Sequence, residues 1–518
     1  MGAIVLASAV AVAQLPATPV SADPNGSCGW YARFDPNVVN AAFPDQSANY
    51  FLLHLPAAPG ETLTFHGRFP HARYMSFHTY DGQTAAVDHV YDAQIVPDPG
   101  SSNPFLSGAS RTTPLQQREY TVTAVFGQRP AAAPANTFYT TDASGAHQGR
   151  DFNIIYRIYI PDQGTDVTGG VGLPEVTVNL PGGSSYQVPD CQHPSMPDTG
   201  LNQAVANGSL PGMSNFNFPG LNPPVWHKFY NTGTSVAQAF ENGSSGESIA
   251  NMFICPPPSP SNPPYCTTSR PSGGFVENKD NNYVYAFINA GDPKGPVVVF
   301  KALLPTFPNT YPDAATMGAG QLRYWSMCSN DPHSTRFYGC VADYQAVTDA
   351  TGAYTVVIST EQNRPQHATQ KCGYNWLPFG PGFDDVVIMR NMLPDPTFTN
   401  AIQNATLGTE QAALGPYYPA GKYMTVKEFQ KLGCSASKMA TAGAAGAGPA
   451  RLAARPPASS APVAPVRPVE TGPAPPLRIA DYSSRLRGSP AAPASLLFAL
   501  AAMAMISGVW WVRRRKPQ

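Results

Sequence analysis

The chain has 518 residues, and its 32 Lys and Arg nearly balance its 33 Asp and Glu, which gives a formal net charge of -1. A chain without basic excess is not expected to bind nucleic acid. Aromatic residues make up 11% of the sequence, which is too many for a disordered protein, so the 56 prolines and 45 glycines indicate many turns between short strands.

The N-terminal segment is typical of export. Residues 2–13 form a short apolar run, and the polar stretch that follows ends in Val20-Ser21-Ala22. This pattern predicts a signal peptide over residues 1–22, cleaved after Ala22. A buried N-terminal strand is the alternative, because the only positive charge ahead of the run is the amino terminus.

The central feature of the sequence is an internal repeat. Residues 73–81, Arg-Tyr-Met-Ser-Phe-His-Thr-Tyr-Asp, return 250 positions later as residues 323–331, Arg-Tyr-Trp-Ser-Met-Cys-Ser-Asn-Asp. Tyr-Thr-Val and Arg-x-x-x-Pro-Asp motifs recur in the same order at a shift of 233 to 235. We therefore predict a duplicated fold with a domain at 23–180, a Gly/Pro/Asn-rich connection at 181–275 and a second domain at 276–436.

Period-two alternation and short apolar runs predict β-strands in both copies. In the first copy these are 50–55, 63–69, 73–80, 119–126 and 152–160, and Pro70 between the second and third predicts a hairpin. The second copy should have strands at 283–287, 297–300, 321–327, 354–359 and 386–393. Two short helices are expected after them, one with Thr425 as N-cap, Glu428 at the capping-box position and Gly433 at its end.

The C-terminal part predicts a stalk and an anchor. Residues 437–493 are rich in Ala and Pro and nearly lack large apolar side chains, so we expect a disordered stalk. Residues 494–512 carry no charge, and at ~1.5 Å per residue they cover about 28 Å, enough for one transmembrane helix. The basic tail 513–518 should stay cytoplasmic, giving a single-pass type I cell-membrane protein with extracellular domains. A processed sorting signal is the alternative.

Eight cysteines in an exported chain favour disulfide bonds over metal binding, and no paired Cys-x-x-Cys blocks occur. Local sequence favours Cys255 with Cys266, around a Pro-rich loop, and Cys328 with Cys340, around a strand-turn-strand. By elimination the remaining pairs are Cys372 with Cys434 and Cys28 with Cys191.

Two stretches carry a family resemblance. Residues 73–81, and 374–378 with 391–395, are similar to a family of uncharacterised secreted and cell-surface proteins, mainly from actinobacteria. The second stretch, with its Trp-Leu-Pro, also resembles the jelly-roll domain of a bacterial family of unknown function. The resemblance implies an all-β fold with two tandem, related, jelly-roll-like β-sandwich domains and a few short helices. It supplies no catalytic residues.

Six of the ten histidines fall in the first copy: His54, His66, His71, His78, His89 and His147. His66 and His78 would face each other across the predicted hairpin with Asp81 nearby, which makes them low-ranking ligand-binding candidates. Hydrogen-bonded or solvated histidines are the preferred interpretation, so we predict no metal and no cofactor.

Four arginines are the other candidates. Arg73 and Arg323, from the repeated Arg-Tyr, could bind an anion, as could Arg157 and Arg390 within apolar strands. Buried ion pairs with the recurring acids Asp151, Asp162, Asp384 and Asp395 are the preferred explanation for the strand arginines.

The functional prediction follows from location and from the lack of a catalytic motif. The sequence contains no Gly-x-Ser-x-Gly and no His-Glu-x-x-His. We predict a binding or scaffold protein for a carbohydrate, a cell-wall polymer or another envelope component. The alternative is an extracellular hydrolase or lyase with its site in the first domain or between the two.

Overall fold

The structure is a computed structural model, which describes residues 29–30, 32–35, 40, 43–56, 60–80, 86–143, 151–189, 222–229, 277–332, 335–406 and 408–434. The predicted signal peptide, stalk, span and tail lie outside these residues. Within them, no helix is long and apolar enough to cross a membrane.

Within the described residues, the first half of the chain forms ten strands. They are β1 (Ala32–Phe34), β2 (Ala48–Pro56), β3 (Thr62–Arg68), β4 (Ala72–Tyr80), β5 (Ala86–Tyr91), β6 (Glu119–Gln128), β7 (Thr137–Thr141), β8 (Asp151–Pro161), β9 (Glu175–Asn179) and β10 (Ser185–Val188). One sheet has the order β1-β2-β8-β4-β5, and a second has the order β10-β9-β3-β6-β7.

The described part of the second half forms nine strands. They are β11 (His227–Lys228), β12 (Asn281–Asn289), β13 (Val297–Leu303), β14 (Leu322–Asn330), β15 (Phe337–Ala342), β16 (Ala353–Ser359), β17 (Asn375–Pro378), β18 (Asp384–Pro394) and β19 (Ala420–Met424). A third sheet has the order β11-β12-β18-β14-β15, and a fourth has the order β17-β16-β13-β19.

The two halves share one strand order. The first and third sheets correspond through β2-β8-β4-β5 and β12-β18-β14-β15. The second and fourth correspond through β9-β3-β6-β7 and β19-β13-β16-β17, and each contains one parallel pair, β6 with β7 and β16 with β17. Tyr74 and Tyr324 occupy equivalent strands, as do Tyr120 and Tyr354.

Each half is a β-sandwich with its own apolar core. In the first, Phe65 of β3 and Phe77 of β4 meet with ring centroids 5.2 Å apart, and Trp30 packs beside them. In the second, Trp325 of β14 packs on Tyr354 of β16 with centroids 4.8 Å apart. Because β6 has only one covered face, its residues alternate between buried and partly exposed.

The predicted hairpin between residues 63 and 80 is wrong. β3 and β4 belong to different sheets, so the chain crosses the sandwich between them. A period-two pattern followed by proline is the same for a hairpin and for such a crossing. The strand pairing decides between them, because β3 pairs with β6 and β9 whereas β4 pairs with β5 and β8. His66 and His78, each one position beyond a core phenylalanine of its strand, consequently point away from the core on opposite sides.

Helices are short in the described chain. The α-helices are α1 (Glu410–Leu414) and α2 (Val426–Leu432), and 3₁₀ helices lie at Asp92–Gln94, Leu115–Gln117, Glu361–Asn363, Gln370–Cys372, Ile402–Asn404 and Gly415–Tyr417. The capping box predicted for α2 is present, since Glu428 N–H donates to Thr425 Oγ1 at 3.1 Å and Gly433 follows the last turn with φ 65°. Strands β10 and β11 lie in the stretch predicted as connection.

Two of the predicted disulfides are present, Cys328–Cys340 and Cys372–Cys434. The first joins directly opposite residues of β14 and β15. Cys28, Cys191, Cys255 and Cys266 lie outside the described residues, so those two pairings stay predictions.

Candidate functional site

The candidate site is the contact between the first and third sheets, which we call the seam. Side chains from the outer face of each sheet meet there, and Tyr159 of β8 packs edge-on against Tyr74 and Tyr324 with ring centroids 5.4 Å apart in both cases. Because one face of β4 covers the core and the other covers the seam, all nine of its residues are buried.

Arg73, a predicted ligand-binding candidate, is an ion-pair partner across the seam. Its Nη1 contacts Asp343 Oδ1, and both side chains are fully buried. Its Nε donates to Thr310 Oγ1 at 3.2 Å, and its guanidinium lies over the Phe307 ring, 5.1 Å from the centroid. A guanidinium enclosed in this way is a structural cation rather than an anion-binding group.

Arg323 makes the reciprocal contact. Its Nη1 lies 3.0 Å from Asp92 Oδ1 and also donates to Arg73 O at 3.2 Å. The second oxygen of each aspartate accepts a backbone N–H from the arginine-bearing strand of its own half. Asp92 accepts the Met75 N–H at 2.9 Å. Asp343 accepts the equivalent Trp325 N–H at 3.0 Å. The seam is therefore nearly two-fold symmetric, like a self-complementary dimer interface within one chain.

Burial sets the protonation behaviour of these aspartates. It raises the pKa of Asp92 to about 6, against the opposing effect of Arg323 and the Met75 N–H. Burial also raises the pKa of Asp343, and Arg73 opposes the rise.

Segments preceding β2 and β12 cross to the opposite half. From the first half, Asp45 accepts hydrogen bonds from Tyr324 Oη and Ser326 Oγ, each at 2.7 Å. From the second, Asp280 accepts the Tyr74 hydroxyl at 2.6 Å. The two segments therefore hold the halves together by reciprocal hydrogen bonds, in addition to the two Arg–Asp ion pairs.

The strand arginines are buried in the seam, as expected, but Arg390 has a different partner from the predicted acids. Arg390 lies 3.6 Å from Asp45 and donates to Phe43 O at 2.7 Å, whereas Asp384 accepts from Asn289 instead. Arg157 lies over the Tyr50 and Tyr80 rings, 5.6 and 5.4 Å from their centroids.

The other two predicted acids also have different partners. Asp162 pairs with Arg111 at 2.6 Å, and Asp395 accepts from the Thr397 amide at 2.8 Å. The side chain of Asp151 lies outside the described residues.

His66 and His78 do not face each other, so the predicted histidine pair is wrong. His66 is half exposed on the outer face of the second sheet, where Nε2 lies 3.6 Å from Asp98 Oδ2. His78 is buried in the seam and sits directly opposite His89 of β5, with ring centroids 4.9 Å apart. His89 Nε2 is 2.9 Å from Asp280 Oδ1. Asp81, the other candidate, lies outside the described residues.

His78, His89 and Asp280 form a group with ligand atoms within 4.8 Å of one another, a set that could hold a metal ion. His78 Nδ1 lies 3.2 Å from Ser76 Oγ, and its Nε2 accepts the Lys279 N–H at 3.1 Å. Burial, reinforced by Arg157, His89 and Lys279, lowers the pKa of His78 well below its ordinary value. The imidazole is therefore neutral at physiological pH, the form that binds metals.

Sequence analysis did not identify Asp92 and Asp343, although a signal for both was present. Val90-Tyr-Asp-Ala-Gln94 and Val341-Ala-Asp-Tyr-Gln345 share Val-x-Asp-x-Gln at a shift of 251. The two glutamines also act alike, since Gln94 Oε1 accepts the Tyr91 N–H and Gln345 Oε1 accepts the Ala342 N–H. Extending the repeat by one strand would have found both acids.

Comparison with known proteins yields distant structural similarity alone. No family model matches the chain, and no curated protein matches it. A putative uncharacterized protein from Burkholderia cenocepacia is similar at 12% identity and TM-score 0.40, over 78% of this chain and 84% of that one. The VPA0106 protein from Vibrio parahaemolyticus is similar at 11% identity and TM-score 0.33, over 75% of this chain and 92% of that one.

Proposed function

We propose that this chain is an exported surface protein, held in the cell membrane by residues 494–512, that serves as a binding or scaffold protein for a carbohydrate or another component of the cell envelope. The two disulfides, Cys328–Cys340 and Cys372–Cys434, support export because such bonds form and persist in oxidising compartments. The seam supports a scaffold role because its buried ion pairs hold the two sandwiches against each other.

The observation that carries the binding role is the exposed ring of Phe383, in the turn between β17 and β18. It is 67% exposed, the largest exposure among the exposed large apolar side chains in the described part of the chain. Asn289, whose amide donates to Asp384 Oδ1 at 3.1 Å, lies beside this turn. An exposed aromatic face suits a sugar, which offers C–H faces that can stack on the ring.

The anchor is tested by truncation. Deleting residues 494–518 should release the protein into the medium, because the remaining chain keeps the export signal and loses the membrane span. Fractionation followed by immunoblotting measures the outcome, with the full chain as control. Membrane association of the truncated protein would show that another segment holds it.

The binding role is tested by sedimentation with purified cell-wall polysaccharide. Phe383→Ala should weaken binding at least about fivefold if the ring stacks on the ligand, since a buried aromatic contact contributes over ~1 kcal/mol. Val96→Ala is the matched control because Val96 is 55% exposed but not aromatic. Equal binding by Phe383→Ala and the unaltered protein would contradict the assignment of this turn.

The alternative, an extracellular hydrolase or lyase, has one favouring observation. The His78, His89 and Asp280 group combines an acid with two histidines, and the His89 side chain is 21% exposed. Turnover of an envelope polysaccharide that is lost in His89→Gln would support this alternative.

A further inference from the structure

We propose that His78, His89 and Asp280 bind one divalent transition-metal ion, Zn²⁺ being the probe of choice, and that this ion ties the first half of the chain to the second. This site is independent of the ligand class proposed above.

The donor set comes from three different segments. His78 belongs to β4, His89 to β5, and Asp280 to the segment before β12 of the other half. Their ligand atoms lie within 4.8 Å of one another, so a shift of a few tenths of an ångström to about an ångström would bring them to the ~2 Å bonds that Zn²⁺ requires. Two imidazoles and one carboxylate favour a transition metal over Mg²⁺ or Ca²⁺, which prefer oxygen ligands.

Neighbouring groups orient the donors as outer-sphere partners of metal ligands do. Ser76 Oγ lies 3.2 Å from His78 Nδ1, so that nitrogen can donate its proton to the hydroxyl and leave Nε2 as the lone-pair donor. The Tyr74 hydroxyl donates to Asp280 Oδ2 at 2.6 Å, which directs Oδ1 towards His89. The ion would replace the Lys279 N–H as the partner of His78 Nε2.

The second copy offers an independent argument. Cys328 and Cys340 occupy the positions of His78 and His89 at shifts of 250 and 251, and both pairs are directly opposite across the same two strands. Asp45, which crosses from the first half, lies close to the two cysteines, just as Asp280 lies close to the two histidines; in each set the ligand atoms are within 4.8 Å of one another. In the second copy a disulfide bond joins the two strands at this position, and in the first copy a metal ion would join them.

Positive groups near the site set a limit on its affinity. Lys279 and Arg157 act on His78 electrostatically and also disfavour a cation. Two neutral imidazoles and one carboxylate leave a bound Zn²⁺ with a net charge of +1. We therefore expect Zn²⁺ to bind in the micromolar range rather than as tightly as in a four-cysteine site.

The experiment uses the full chain, without a polyhistidine tag, stripped with EDTA and titrated with Zn²⁺ alone. One equivalent should bind and raise the Tm by a few degrees. His89→Gln and Asp280→Asn should each weaken binding at least tenfold. His66→Gln is the control for a surface histidine, and His71→Gln tests the other nearby group, His71 with Asp162 and Asp313.

Three results would overturn the site: no Zn²⁺ binding by the unaltered chain, unchanged binding by His89→Gln, or loss of binding in His71→Gln alone. Asp280→Asn removes a seam contact and could impair folding, so His89→Gln, at a partly exposed position, is the deciding variant. Co²⁺ provides a second measurement on the unaltered chain. Visible bands without thiolate charge transfer would confirm nitrogen and oxygen donors, whereas thiolate bands would assign the metal to cysteines.

Discussion

Asp343→Asn should lower the free energy of unfolding by about 3–5 kcal/mol, because it leaves the fully buried Arg73 guanidinium without its counter-charge. The oxygen of the asparagine can still accept the Trp325 N–H. Its NH₂ group then faces the Arg73 guanidinium and the Tyr344 N–H, which are donors themselves, so both lose their acceptor. Urea unfolding followed by the fluorescence of the buried Trp30, Trp226 and Trp325 measures the loss.

Three further variants separate the causes. Glu119→Gln, opposite Arg68 in a half-exposed pair at 3.4 Å, should cost less than about 1 kcal/mol. The loss of stability in Asp92→Asn should lie between those of Glu119→Gln and Asp343→Asn, since Arg323 retains some contact with water. The double variant Arg73→Met with Asp343→Leu should recover much of the loss, because no charge stays buried without a partner. An Asp343→Asn effect no larger than that of Glu119→Gln would contradict this account.

Local patterns predicted central strands of all four sheets, whereas edge strands such as β1, β7 and β17 were not predicted. The alternation of β6, the capping box at Thr425 and the cystine Cys328–Cys340 depend on residues close in sequence, and each is present. Strand order could not be predicted, because the repeat relates the two copies to each other without indicating which strands pair. The fully buried β4 carries no alternation, and it was indicated only by a predicted hairpin that is wrong.

The seam could not be predicted from local patterns, because its partners are distant in sequence. Arg73 and Asp343 are 270 positions apart, and Arg323 and Asp92 are 231 apart. The histidine cluster needed Asp280, 191 positions from His89. Arg390 was correctly expected to pair with a carboxylate, since a buried guanidinium requires partners, but sequence proximity did not indicate Asp45 of the other half.

We predict that Asp385, at the start of β18, holds a proton at neutral pH. Ser329 Oγ lies 2.7 Å from Pro378 O and also contacts Asp385 Oδ2. The carbonyl can only accept, so it takes the single hydroxyl proton of Ser329, and the Asp385 contact then requires a proton on the carboxyl group. Burial raises the pKa of Asp385 to about 8, although its contact with Ser329 and the hydrogen bond from the Asn330 amide oppose the rise.

The raised pKa of Asp385 makes stability depend on pH with a definite sign. Between about pH 4 and 8 the folded chain retains a proton that the unfolded chain has released, so stability falls as pH rises, by at most about 1.4 kcal/mol per pH unit. Asp385→Asn removes the ionisable group while its amide can still donate to Ser329 Oγ. The stability of this variant relative to the unaltered protein should therefore increase steadily from pH 5 to pH 8.

Asp395→Asn is the control for this pH dependence. Hydrogen bonds from Thr397 lower the pKa of Asp395, so its contribution to stability is lost only as pH falls below the carboxylate range and is constant between pH 5 and 8. Its urea-unfolding midpoints should consequently follow those of the unaltered protein across that interval. If the urea-unfolding midpoints of Asp385→Asn also follow those of the unaltered protein between pH 5 and 8, Asp385 is ionised in the folded state. The Ser329 hydroxyl proton would then point to the carboxylate rather than to Pro378, and Pro378 O would lose its hydrogen bond from Ser329.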